Sequence, residues 1–170
     1  NDRPFAFRYP RGNGLGVELP SIDEKLILGK GKVVREGKKV AIINFGARLN
    51  DILKSSEILQ KKGVNLTIID ARFAKPLDEN LLWQVANEHE ILITVEEGSI
   101  GGFGSHVSKF LTDKNLLDNN LKLRNMVLPD KFIDQYNPEQ MYNIAGLDSF
   151  NIVDKVLETL NSKVIIKKTN

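Results

Sequence analysis

Val40-Ala-Ile-Ile-Asn-Phe45, Val64-Asn-Leu-Thr-Ile-Ile69 and Ile91-Leu-Ile-Thr-Val95 are three short, mainly apolar runs at nearly even spacing. A strand with one wet face alternates, whereas a strand covered on both faces reads as a near-continuous apolar run. Between the first two runs, Leu49, Ile52, Leu53, Ser56 and Leu59 share one helical face, and Gly63 ends the helix. Between the second and third, Pro76-Leu77-Asp78 opens a helix to about Glu88 whose Leu81, Leu82, Val85 and Ala86 face inward. Strands alternating with helices predict an α/β fold. The expected architecture is a three-layer sandwich around a mostly parallel sheet of about five strands.

Working outward, Lys32–Arg35 and Val40–Phe45 flank Glu36-Gly37-Lys38, a short glycine-containing link that predicts a hairpin. On the other side, a glycine-rich turn leads into a helix around His106–Leu111. Leu121–Val127 is the last strand, and its alternation places it at an edge. Asn137-Pro138-Glu139-Gln140 has the form of a helix start, with Asn as N-cap and Pro first. Asp148 caps a final helix whose stripe is Ile152, Val153, Val156, Leu157 and Leu160. Residues 1–30 read as an arm, with four Gly and three Pro between Pro4 and Gly29. The main domain then spans 31–161, and 162–170 is a basic tail.

The 170 residues, 41% hydrophobic and 27% charged, suit one globular core. No apolar run approaches the ~20 residues of a membrane span. The absence of cysteine excludes disulfides, thiolate nucleophiles and cysteine-built metal sites, and leaves His89 and His106 as the imidazoles. Residues 1–40 hold nine basic against five acidic side chains, whereas 41–160 hold twelve against seventeen. A basic entry segment on an acidic body suits a small anionic ligand and argues against nucleic acid, which demands a broad basic face. The opening Asn1-Asp2-Arg3-Pro4 carries no initiator Met or signal-like stretch, as expected of a piece of a longer polypeptide.

Ligands of open α/β sheets meet the carboxyl ends of the strands. Here those ends carry Asn44-Phe45-Gly46, Asp70-Ala71-Arg72, Val95-Glu96-Glu97-Gly98 and Val127-Leu128-Pro129-Asp130. Glu96 and Glu97 cannot work as an acid–base pair on one atom, because adjacent strand residues face opposite sides. The turn from Gly98 through Gly101, Gly102 and Gly104 matches neither a Walker loop nor a dinucleotide fingerprint, and its glutamates would repel phosphate. Close helix–sheet or subunit–subunit approach is the expected purpose of these glycines. His106 beside Ser105 lacks an orienting third partner, and His89 ends a helix, where a last-turn charge interaction is expected. Arg8 and Arg11 offer guanidinium forks suited to phosphate, although arginines in a linker are usually solvated.

Five motifs in order carry a resemblance: Phe7-Arg-Tyr-Pro-Arg-Gly-Asn-Gly14, Gly29-Lys-Gly31, Asp70-Ala-Arg-Phe-Ala-Lys-Pro-Leu-Asp78, Val95-Glu-Glu-Gly-Ser-Ile-Gly-Gly-Phe-Gly-Ser105 and Leu128-Pro-Asp-Lys-Phe-Ile133. From residue 4 to about 160 the chain resembles the carboxyl-terminal part of the 1-deoxy-D-xylulose-5-phosphate synthase family. The resemblance implies a cytoplasmic, homodimeric, transketolase-type parent that uses thiamine diphosphate and Mg2+. That parent condenses pyruvate with D-glyceraldehyde 3-phosphate and releases CO2, feeding isoprenoid, thiamine and pyridoxal synthesis. It also implies that residues 1–30 end a pyrimidine-binding domain, and that the partners are upstream domains and a second subunit. Neither nucleic acid nor membrane is an expected partner.

The family's Gly-Asp-Gly metal–diphosphate signature is not in this sequence, and its ring-activating glutamate lies upstream of Arg8. The chain alone is therefore expected to be inactive, with no catalytic, cofactor-binding or metal-binding residue of its own. Arg11 is the residue the resemblance assigns to the substrate phosphate. Arg8 is the second candidate and an alternative support for the domain junction. Glu96, Glu97, Gly98, Gly101, Gly102 and Gly104 are expected at an assembly or domain interface. The alternatives are the C-terminal domain of transketolase or of a 2-oxo-acid dehydrogenase β subunit, or a non-catalytic α/β assembly module.

Overall fold

The computed structural model describes residues 4, 6, 7, 9, 14, 16, 17, 21 and 25–161. Its strands are β1 (Lys32–Arg35), β2 (Val40–Phe45), β3 (Leu66–Asp70), β4 (Ile91–Glu96) and β5 (Lys122–Met126). Its helices are α1 (Leu49–Gln60), α2 (Glu79–Glu88), α3 (Phe103–Asp113), α4 (Pro138–Ala145) and α5 (Ser149–Asn161). One sheet runs in the order β1-β3-β2-β4-β5, parallel throughout except at β1. The α/β sandwich read from the sequence is the observed fold.

The strand pleat sorts the core into two layers. Val40, Ile42, Ile68, Ile91, Ile93 and Val95 pack against Ile52 and Leu59 of α1 and Ile152, Val153 and Val156 of α5. Ala41, Ile43, Ile69 and Leu92 pack instead against Leu82, Val85 and Ala86 of α2 and Phe103, Val107, Phe110 and Leu111 of α3. Val40 to Ile43 are at most 1% exposed, which is why β2 carries apolar residues on both sides. The expected caps are in place: the carboxylate of Asp78 accepts from Leu81 N, the side chain of Asn137 from Gln140 N, and Asp148 from Asn151 N. β5 is an edge strand, as its alternation predicts.

The hairpin does not form. β1 pairs antiparallel with β3, Lys32 opposite Asp70 and Val33 opposite Ile69, so β3 lies between β1 and β2. Crossing β3 takes two strand spacings of about 4.8 Å, which the four intervening residues can span at about 3.3 Å each. Gly37 makes the crossing, because a Cβ there would collide with the backbone of Asn65 and Leu66. Gly37 N donates to Thr67 Oγ1 at 3.0 Å, and Lys38 N donates to Asn65 O at 3.1 Å. A short glycine-bearing link thus has the same local chemistry whether it turns back beside its strand or steps over another.

Candidate functional site at the carboxyl edge

All four parallel strands end at one edge, and their last residues place polar groups there. Glu96 and Glu97 leave β4 on opposite faces, as the pleat requires. Glu96 is 4% exposed and turns toward α3. Its Oε2 accepts from Phe103 N at 3.0 Å and its Oε1 from Gly104 N at 2.8 Å. The helix start that a phosphate loop would leave open is filled by the protein's own carboxylate, which also complements the α3 dipole.

The glycines make room for that arrangement. A Cβ on Gly102 would lie 2.5 Å from Glu96 Oε2, and one on Gly98 would overlap the same carboxylate. A Cβ on Gly104 would lie 2.7 Å from Thr94 Oγ1 and 3.0 Å from Asn125 Cγ. Thr94, Asn125, Ser108 and the Gly104 carbonyl form a chain of hydrogen bonds of 2.8 to 2.9 Å that ties β4, β5 and α3 together. Close helix–sheet approach, the internal half of the sequence expectation, therefore accounts for these three glycines. Gly101 differs: it is exposed and a Cβ there would meet nothing.

Glu97 enters the opposite layer. Its Oε1 lies 2.8 Å from Arg48 Nε, but the N–H is not aimed at it, so both atoms are buried without an aligned hydrogen bond. Arg48, directly before α1, also reaches Asp51 at 3.0 Å and covers the Tyr142 ring at 3.4 Å from its centroid. Burial, then the hydrogen bond and charge of Glu97, push the Tyr142 hydroxyl above its ordinary pKa. Burial likewise pushes Asp51 up, against the pull of Arg48 and Lys54. Beneath this group Asn44 is fully buried; its Nδ2 donates to Gly46 O at 2.8 Å while its Oδ1 has no partner.

A third node lies at the β1 end of the same edge. Asp78, the α2 cap, also pairs with Lys30 at 3.0 Å and accepts from Gly31 N at 3.1 Å. Gly29 passes so close to Pro76 that a Cβ would lie 2.7 Å from its Cγ. The Gly29-Lys30-Gly31 and Lys75-Pro76-Leu77-Asp78 motifs are thus two halves of one clasp. His89 is held at both nitrogens, Nδ1 2.9 Å from Val85 O and Nε2 2.7 Å from Thr67 Oγ1.

The edge brings Glu96, Glu97, Gly98, Gly101, Gly102 and Gly104 together, as their sequence proximity requires. Arg8 and Arg11 lie outside the described residues, as do most of 1–24 and the tail 162–170. Sequence reasoning passed over Arg48, Asp51 and Tyr142; the one usable signal nearby was Asn44, a polar residue interrupting an apolar strand. Among the described residues no group of three or more His, Cys, Asp or Glu could hold a metal, and no helix is long and apolar enough to cross a membrane.

The family model for the transketolase C-terminal domain matches residues 29–152. A solved structure described as "Split gene transketolase, inactive beta4 tetramer" is similar at 28% identity and a TM-score of 0.74. The match covers 85% of this chain and 46% of that one, so the chain spans under half the length of that relative. With the strand order, the two helical layers and the family match in agreement, the chain belongs to the transketolase C-terminal domain family.

Proposed function

We propose that this chain is the C-terminal part of a thiamine diphosphate- and Mg2+-dependent 1-deoxy-D-xylulose-5-phosphate synthase. The parent joins pyruvate to D-glyceraldehyde 3-phosphate with loss of CO2. The observation that carries this reading is the pairing of Phe7–Gly14 with Leu128–Ile133 on a transketolase C-terminal fold. The described residues do not fit the cofactor: they include no metal-binding cluster, and the sequence contains no Gly-Asp-Gly. Thiamine diphosphate, which supplies a stabilised carbanion equivalent when bound, is therefore assigned to upstream parts of the parent. No chemical step is assigned to this chain.

Arg11 is assigned to the substrate phosphate, because a phosphorylated acceptor calls for a permanent, forked cation. Arg8 is the second candidate for that phosphate, with support of the domain junction as its alternative role, and the Gly98–Gly104 turn, through exposed Gly101, is assigned to an assembly or domain interface. A hydrogen bond to a charged group is worth about 1.5–3 kcal/mol. In the parent, Arg11→Ala then lowers kcat/KM for D-glyceraldehyde 3-phosphate roughly 10- to 200-fold and changes pyruvate affinity much less. An equal loss with an unphosphorylated aldehyde would remove Arg11 from the phosphate site.

A second reading is favoured by the split-gene relative: the parent is a transketolase, moving a two-carbon unit between sugar phosphates. Assaying the parent with pyruvate plus D-glyceraldehyde 3-phosphate against a ketose phosphate donor separates the two. CO2 release with formation of the five-carbon phosphate supports the first reading; turnover of the ketose donor alone supports the second.

A further inference from the structure

The amino edge of the sheet, opposite the glutamates, carries a cleft of about 420 Å³, a volume ordinary for a small-molecule site. Its floor is apolar: Ile91, Leu116 and Leu121 are at most 8% exposed. Polar side chains make the rim. Asn87 and Glu90 come from the end of α2 and the link to β4, and Asn119 and Asn120 from the loop before β5. β4 starts at Ile91 in the floor and ends at Glu96, so about 17 Å of strand separates this cleft from the carboxyl edge. The two places share no residue.

The rim keeps unused hydrogen-bonding capacity. Asn87 Nδ2 donates to Trp83 O at 2.7 Å, which leaves its Oδ1 without a partner among the described residues. The side chains of Asn119 and Asn120 bond to no described residue. Glu90 meets Lys39 only at 3.8 Å, beyond hydrogen-bond distance. The other polar groups of the cleft are committed: Lys122 Nζ donates to Thr159 O at 3.1 Å, and His89 is engaged at both ring nitrogens. Charge then selects the ligand. Asn87 and Leu160 belong to the last turns of α2 and α5, so the negative ends of two helix dipoles join Glu90 in opposing an anion. Lys122 and Lys39 already answer that negative charge, and a cationic ligand would be repelled by them. A neutral ligand remains, with groups that both donate and accept as the three carboxamides do. Hydroxyls meet that requirement, and the carbon face of a polyol suits the apolar floor. We infer that the amino-edge cleft binds an unphosphorylated polyol or sugar, held by Asn87, Glu90, Asn119 and Asn120. The inference does not depend on the activity proposed for the parent.

Amide NMR spectra of the isotope-labelled 170-residue chain, titrated with sorbitol, sorbitol 6-phosphate and putrescine, test the inference. Sorbitol is expected to move the signals of Asn87, Glu90, Asn119 and Lys122, to saturate in the millimolar range and to leave Gly98 and Gly101 in place. In Asn119→Ala the half-saturating concentration rises about 2- to 13-fold, as the loss of one hydrogen bond requires. Asn87→Ala on α2 moves it in the same direction. Both side chains are exposed, so folding is not at risk. Tighter saturation by sorbitol 6-phosphate or by putrescine overturns the inference in favour of a charged ligand. Signals that drift over the whole surface without saturating overturn it as well, because they report the solvent and not a site. An unchanged half-saturation in both variants has the same consequence.

Discussion

Two adjacent carboxylates divide the carboxyl edge into regions of different character. Glu96 points into the α2/α3 layer and meets two aimed backbone N–H groups at 2.8 and 3.0 Å. Glu97 points into the α1/α4/α5 layer and meets a guanidinium at 2.8 Å whose N–H is not aimed at it. The first region is closed, each polar group matched and the glycines tailored to the carboxylate. The second is a cluster of charges with spare capacity, where Arg48 has Asp51 and the Tyr142 ring besides Glu97. Residue type does not set the difference; the side of the pleat does.

Truncating each glutamate breaks or sharpens that contrast most strongly. Glu96→Ala removes a buried acceptor and leaves two N–H groups unpaired, a loss of about 3 kcal/mol. For a domain of this size that lowers Tm by about 6–12 °C. Glu97→Ala costs less, about 1–2 kcal/mol, because Arg48 keeps Asp51 and the Tyr142 ring and the lost buried contact is not an aligned hydrogen bond. Calorimetry on both variants decides; equal losses would mean that Arg48 depends on Glu97 as much as α3 depends on Glu96.

The glycines give the next largest effect. Gly104→Ala forces a Cβ against Thr94 and Asn125 in the closed region, costing about 1–3 kcal/mol. Gly101→Ala meets open space, but its φ of +96° is unfavourable for a side chain, at about 1 kcal/mol. Thermal melts rank the two. Sizing of the parent shows whether Gly101→Ala also alters assembly, the role proposed for that exposed position. A larger loss at Gly101 than at Gly104 would overturn the internal account of the turn.

Most of the fold was legible because its signals are local. Val40 to Ile43 state double burial outright, and Asn137 and Asp148 cap the helices that follow them. The place of β1 was not legible: a link of four residues says how far the chain travels, not whether β3 lies beneath it. For the site, the opposite fates of Glu96 and Glu97 followed from the pleat alone. The Arg48 cluster did not, because its members come from after β2, after β4 and from α4. An arginine before a helix looks solvated until tertiary pairing brings Glu97 and Tyr142 to it.

The smallest expected effect lies inside the charged region, where two aspartates titrate in opposite directions. Burial alone would raise Asp148, but hydrogen bonds from Asn143 and from the Asn151 amide and side chain outweigh it and hold its pKa down. Burial outweighs Arg48 and Lys54 at Asp51 and leaves its pKa raised. A depressed carboxyl stabilises the fold above its unfolded pKa of about 3.9 and loses that contribution as pH falls through the folded value. A raised carboxyl does the reverse, contributing fully below about 3.9 and losing its contribution as pH rises through the folded value. Asp148→Asn keeps the N-cap acceptor for Asn151 N but removes the charge and the oxygen that accepts from Asn143 Nδ2, so denaturant midpoints of this variant start lower at neutral pH and fall less steeply than those of the unsubstituted chain below about pH 4. Asp51→Asn removes a contribution that grows on acidification down to about pH 3.9 and is constant below it, so its midpoints fall more steeply only on the less acidic side, above about pH 4. If both variants bend the acid limb the same way, the α1/α5 side holds one coupled charge network, and the separate assignments to Asp51 and Asp148 fail.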